Sequence, residues 1–146
     1  MKAHLTRRYW FPASHRLHNQ RMSAAENRRT YGKCNNPHGH GHNYALEVTV
    51  AGPVASRTGM VCDIVELDGF VEREILEPFG YSNLNRLAPF RSKVPTTENL
   101  CIEIYQRLER GFHPARVEKV RLEETMLNAF EYAGESDLRG ERREGR

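Results

Sequence analysis

Apolar and polar residues alternate along several stretches of the chain and recur at helical spacing in two others. Leu5, Tyr9, Phe11, Ala13 and His15 hold odd positions, which predicts a strand over residues 3–15, with Trp10 and Pro12 breaking the rhythm. The alternation is cleaner over residues 42–51. Tyr44, Leu46, Val48 and Val50 share one face there, and Asn43, Glu47 and Thr49 the other. Gly52-Pro53 closes that strand. The period then changes. Asp63 stands where a helix N-cap belongs, with Glu66 at the third helical position, and Ile64, Leu67, Val71 and Ile75 form a stripe that runs to Pro78 and Gly80. A second helix opens at Thr96-Thr97-Glu98, carries Leu100, Ile104 and Leu108, and is expected to be capped by Gly111. Residues 117–125 alternate again, with Val120, Leu122 and Glu124 on one face, and residues 128–133 read as a strand that pairs back as a hairpin. The polar stretch 16–31 reads as a loop or a short helix over residues 23–28.

The predicted order is β-β-α-α-β-β, an α+β domain with an antiparallel sheet and both helices on one face. A chain of 146 residues suits one domain with a real core, expected over residues 1–134, with a charged, disordered tail over 135–146. Four strands leave open edges that pairing between subunits would cover. Charged residues make up 28% and hydrophobic ones 38%, and no apolar run approaches the ~20 residues of a membrane span, so a soluble protein off the membrane is expected. The first eight residues lack the apolar core of a signal peptide, and Cys34, Cys62 and Cys101 show no framework spacing. Both point to reduced thiols in the cytoplasm. The net charge of +3 comes in part from the tail, and no basic–aromatic interleaving marks a nucleic-acid binder. A small anionic substrate fits better.

Candidate chemistry concentrates between Tyr31 and Tyr44, where Cys34, His38, His40 and His42 are punctuated by glycines and Pro37. His40 and His42 continue the inward parity of Tyr44, at the mouth of the strand. Imidazoles make poor core filler, because their nitrogens need partners. Zinc would satisfy them, and a catalytic zinc takes three protein ligands and keeps a fourth position open. His15 supplies the third if the first two strands pair. His38 shares the parity and stands as a substitute. Cys34 is either an inert loop thiol or, beside Lys33 and a metal, a thiolate that takes a proton from substrate. Cys62 and Cys101, in apolar surroundings, read as buried packing, and His4, His18 and His113 as ordinary histidines. Glu124 points inward and needs either a Lys or Arg partner or a ligand with paired N–H donors, such as a pterin or guanine ring edge. Thr96-Thr97-Glu98 reads first as a cap. Its free N–H groups and hydroxyls could also hold a ring or an anion.

At these residues the chain resembles the 6-pyruvoyl tetrahydropterin synthase family, which includes the 6-carboxy-tetrahydropterin synthases of queuosine biosynthesis. The likeness runs from Phe11 to Gly134. It rests on Phe11-Pro12-Ala13-Ser14-His15-Arg16-Leu17, on Tyr31 to Tyr44, on Thr58-Gly59-Met60-Val61-Cys62-Asp63, on Pro95-Thr96-Thr97-Glu98-Asn99-Leu100 and on Glu124-Thr125. The resemblance implies zinc held by His15, His40 and His42, Cys34 as proton acceptor and Glu124 as the anchor of the pterin ring. It also implies a pterin pocket lined by Thr96, Thr97 and Glu98. It implies the tunnelling fold, whose subunits join sheets into a barrel, and homohexamers made of two trimers with sites at subunit interfaces. The implied substrate is 7,8-dihydroneopterin triphosphate, and the implied reaction is loss of triphosphate with side-chain rearrangement. The six-residue step from Cys34 to His40 resembles the 6-pyruvoyl branch, since the queuosine enzymes often have a shorter gap.

One departure stands out. The family usually carries Leu-Asp-His ahead of an Asn-Leu-Asn/Asp segment. Asn83-Leu84-Asn85 is intact here, but Phe79-Gly80-Tyr81-Ser82 precedes it. Gly80 has nothing to titrate. Tyr81 has a phenol whose ordinary pKa of ~10 makes it a poor base at neutral pH and a candidate acid. The expectation is a zinc-dependent lyase with Tyr81 as a candidate catalytic group. The alternatives are a 6-carboxy enzyme and a pterin-binding pseudoenzyme.

Overall fold

A computed structural model describes residues 2–135, so the charged tail expected over 135–146 lies outside the described residues apart from Glu135. Strands β1 (Lys2–His15) and β2 (His40–Pro53) pair antiparallel over their full length, from Lys2 opposite Pro53 to His15 opposite His40. A two-residue strand, β3 (Ser82–Asn83), lies parallel to the end of β1 beside Ala13 and Ser14. β4 (Arg116–Thr125) pairs antiparallel with β2, and β5 (Asn128–Tyr132) folds back on β4, giving the order β3-β1-β2-β4-β5. The sheet is thus mostly antiparallel and has five strands rather than four. β3 escaped the sequence reading because two residues have no period to detect.

The helices form where caps and stripes place them. α2 (Ile64–Val71) starts at Asp63, whose carboxylate accepts from Val65 N–H at 2.9 Å. It runs on through a π turn (Glu72–Leu76) into a last turn, α3 (Glu77–Phe79). Leu67, Val71, Ile75 and Phe79 recur every four residues and are all fully buried. An α-helix of about 3.6 residues per turn would let that stripe drift around the axis, and the wider π turn takes up the drift. α4 (Thr97–Gly111) is capped by Thr96, whose hydroxyl accepts from Asn99 N–H at 3.1 Å. Gly111 is its last helical residue rather than its cap, and Phe112 closes the helix onto Leu108 O at 2.9 Å. The polar stretch before β2 contains a short helix, α1 (Ala24–Tyr31), followed by a 3-10 turn (Gly32–Asn35).

α2 and α4 lay Leu67, Val71, Leu100, Ile104 and Leu108 over Tyr44, Leu46, Val48, Val120 and Leu122, all fully buried. Each such side chain contributes roughly 1.5–3 kcal/mol on burial. Arg7 and Tyr9 reach from β1 to the Asp68 carboxylate on α2, with bonds of 3.0 and 2.8 Å from Arg7 and 2.7 Å from Tyr9. Among the described residues, neither α2 nor α4 packs on the opposite face of the sheet. Arg8, Glu47 and Arg121 form ion pairs across it (2.8 and 3.4 Å), and Trp10 is 67% exposed there. Among the described residues, no helix is long and apolar enough to cross a membrane.

Candidate metal centre

The register of β1 and β2 builds the centre. His15 and His40 are direct cross-strand partners, and His42 is two residues further along β2 on the same face. The three rings meet edge to face with centroids 4.7–5.0 Å apart. Their ligand atoms and a carboxylate oxygen of Glu124 all lie within 4.8 Å of one another. His15 is 1% exposed, and its Nδ1 lies 2.8 Å from Pro95 O. A carbonyl only accepts, so Nδ1 carries the proton and Nε2 presents a lone pair, the arrangement by which outer partners orient metal-binding imidazoles. That lone pair faces His40 Nε2 at 3.2 Å. His42 Nε2 is buried without an aligned hydrogen-bond partner, although Glu124 Oε1 lies 3.1 Å away. Burial pulls the pKa of both His15 and His42 down, which favours the neutral form of each ring. An orphaned buried nitrogen and converging neutral imidazoles are what a borderline-soft divalent ion such as zinc requires. His38, the alternative ligand, is exposed and lies outside this group.

Glu124 arrives by a bulge. β4 pairs Glu123 with Ala129 and Thr125 with Asn128, which leaves Glu124 without a partner in β5. Bulges re-aim side chains, and here the carboxylate turns to His42 on one side and accepts the Thr97 hydroxyl on the other. No Lys or Arg pairs with it among the described residues. Thr97 is buried beside Glu124, Thr96 acts as the helix cap, and Glu98 is exposed in the first helical turn. The structure therefore joins Thr97 to the centre and leaves Thr96 and Glu98 as helix-end residues within this chain.

Cys34 is half-buried in the 3-10 turn. Its neighbour Lys33 was expected to lower the thiol's pKa, but burial, followed by the negative charge of Glu124, pushes it up. The turn is fastened to the end of β1 by asparagines that the sequence reading passed over. Asn35 Nδ2 donates to Leu17 O at 2.7 Å and meets His18 Nδ1 at 2.9 Å, and Leu17 N–H donates to Cys34 O at 2.8 Å. Asn85 clamps the backbone of Arg16 with bonds of 2.7 and 2.8 Å, and the fully buried Asn27 ties down the loop at Asn19. The signal was present as an excess of asparagine near the histidines, since Asn side chains satisfy irregular backbone. Gly39 is required on two counts. Its φ is +71°, and a Cβ there would stand 2.9 Å from His15 O. Cys62 and Cys101 are buried, as expected, and burial pushes the Cys101 thiol up to about 12.

Gly80 and Tyr81 are not among the clustered ligand residues, although Tyr81 lines a cavity of about 390 Å³ together with His42 and Asn43. Gly80 ends α3 with its N–H on Leu76 O at 2.8 Å, and a Cβ there would approach the same oxygen to 2.5 Å. Tyr81 then adopts φ +55°, donates its N–H to Pro12 O at 2.6 Å and sends its phenol into solvent, 93% exposed. That turn delivers Ser82 and Asn83 to the edge of β1.

A profile of the family described as 6-pyruvoyl tetrahydropterin synthase matches residues 4–135. The chain is similar to the 6-pyruvoyl tetrahydrobiopterin synthase of Drosophila melanogaster, 43% identical over 140 residues that cover 94% of this chain and 83% of that one. It is similar to the Homo sapiens protein of the same name, 41% identical over 135 residues, 92% of this chain and 93% of that one. The solved 6-pyruvoyl tetrahydropterin synthase of Caenorhabditis elegans superposes with a TM-score of 0.88 at 37% identity, covering 92% of this chain and 97% of that one.

Proposed function

Because the chain belongs to the 6-pyruvoyl tetrahydropterin synthase family, we propose that it is a zinc-dependent lyase that eliminates triphosphate from 7,8-dihydroneopterin triphosphate. The observation that carries this reading is the convergence of His15, His40, His42 and Glu124 at one end of the sheet. His15, His40 and His42 would hold the ion. Zinc bound there would polarise the side-chain oxygens of the substrate and draw the thiol pKa down. Glu124, fixed by Thr97, offers two oxygens to the paired N–H groups of a pterin ring. Cys34 accepts the carbon-bound proton. The C–H electron pair forms the new double bond, and the triphosphate departs with the C–O pair. Tyr81 is solvent-exposed in one protomer, so a role as acid would be played across a subunit boundary in a homohexamer. The cytoplasm is the compartment that suits its free thiols.

A second reading, a pterin-binding pseudoenzyme, is favoured by Gly80-Tyr81 and keeps the same ring anchor. Purified zinc-loaded protein incubated with 7,8-dihydroneopterin triphosphate should release triphosphate, and mass spectrometry of the pterin product separates the 6-pyruvoyl from the 6-carboxy branch. Release no faster than that of a Cys34→Ala control would sink the lyase reading. Retained pterin binding, lost on Glu124→Gln, would then support the pseudoenzyme.

A further inference from the structure

Residues 94–99, where α4 begins, hold both halves of the candidate centre. Pro95 O accepts from His15 Nδ1 at 2.8 Å, and the Thr97 hydroxyl donates to Glu124. Local bonds stiffen the chain between these two contacts. Thr96 N–H donates back to Val94 O at 2.8 Å, a γ turn centred on Pro95, and the Thr96 hydroxyl accepts from Asn99 N–H at 3.1 Å. The Asn99 side chain completes the set, with Nδ2 donating to the same Val94 O at 2.8 Å. Asn99 is the third helical residue. Helix stability alone asks for Glu or Gln there, whose side-chain oxygen reaches back to the N–H of the cap. Here that N–H is already taken by Val94 O, and the side chain supplies a donor instead. The amide of Asn99 therefore serves the turn rather than the helix.

The turn bears on which nitrogen of His15 offers a lone pair to the other imidazoles. His15 Nδ1 has neighbours of opposite character. Pro95 O can only accept, so it favours the proton on Nδ1. The hydroxyl of the fully buried Tyr44, 3.4 Å away, can donate, so it supports the other tautomer. In that tautomer Nε2 points its proton toward His40 Nε2, 3.2 Å away, and has no lone pair for an ion. We infer that Asn99 is a positioning residue of the metal centre. It fixes the turn at Val94 and Pro95 so that the Pro95 carbonyl, and not Tyr44, sets the tautomer of His15. The inference rests on the metal-dependent reading for its consequence, but the tautomer exists with or without an ion.

Asn99→Asp is the deciding variant. It keeps the size of the side chain and removes the donor, and its charge suits the first turn of a helix, so the fold should be no less stable. In metal-free protein, proton–nitrogen NMR correlation of the histidine rings should show His15 of the parent protonated at Nδ1 alone. In the variant a second population protonated at Nε2 should appear, and zinc affinity, measured by chelator competition, should fall about 10-fold. Adding Tyr44→Phe removes the competing donor and should return His15 toward the Nδ1–H form. An unchanged tautomer or an unchanged zinc affinity in Asn99→Asp would overturn the assignment. So would a fall in zinc affinity matched by an equal fall in metal-free stability in denaturant, since Asn99 would then be a folding residue only. If the parent binds no zinc, the metal reading fails, and the tautomer in metal-free protein still decides the role of Asn99.

Discussion

A side chain at Gly80 would meet Leu76 O at 2.5 Å, so a carboxylate restored at this position strains the helix end before it can do chemistry. Gly80→Asp should lower stability by about 1–3 kcal/mol in denaturant titrations. A variant as stable as the parent would show that the helix end relaxes freely. At the opposite extreme stands His40, whose Nε2 faces that of His15 at 3.2 Å. His40→Ala removes one of three imidazoles and should strip most zinc, measured by elemental mass spectrometry. Unchanged zinc content would mean that another residue, Glu124 first among them, completes the ligand set. The parity that nominated His40 and His42 is a residue-level rule, and it holds because strand side chains alternate whatever surrounds them. The same rule left His38 open. The structure separates it, because His38 precedes the turn at Gly39 and is exposed outside the strand.

Between elements, polar bonds fix what apolar packing leaves free to slide. Asp68 on α2 takes both Arg7 and Tyr9 from β1, and hydrogen bonding from Arg7, reinforced by Tyr9, holds its carboxyl below the usual range. Lowering in the folded state means that the ionised form adds stability above about pH 4, the unfolded value, and that this share is lost as pH falls through the folded value. Asp68→Asn should therefore lie below the parent at pH 7 and approach it as pH falls through the folded value in chemical denaturation. The gap should be small, because solvent screens both partners. Parallel pH profiles would remove Asp68 from the acid limb. The helices and long strands were legible because caps and periodic stripes are local. The bulge at Glu124 and the π turn were not, since each is a single-residue adjustment that only the neighbouring element demands.

At the scale of the molecule, His15, His40, His42 and Glu124 gather at one end of the sheet while the Tyr81 side chain is exposed on the same chain. A catalytic Tyr81 would serve a neighbour's centre. Cys34→Ala and Tyr81→Phe preparations, unfolded together and reassembled, should then be more active than either parent. Activity no higher than the average of the two would confine Tyr81 to a structural role. The uncovered sheet face and the open edges of β3 and β5 are the surfaces through which such an assembly would form.

The order of the main elements, the α+β class, the inward parity of His40, His42 and Glu124, and the caps at Asp63 and Thr96 were written in the sequence, because each depends on neighbours a few residues away. Tertiary structure decided the rest. It set the register that places His15 opposite His40, and the bulge that swings Glu124 between His42 and Thr97. It set the asparagine bonds that seat Cys34, and the fifth strand, whose turn leaves no room for a Cβ at Gly80. These contacts join residues far apart in the chain, and their energies exist only once the sheet has closed and water has left the core.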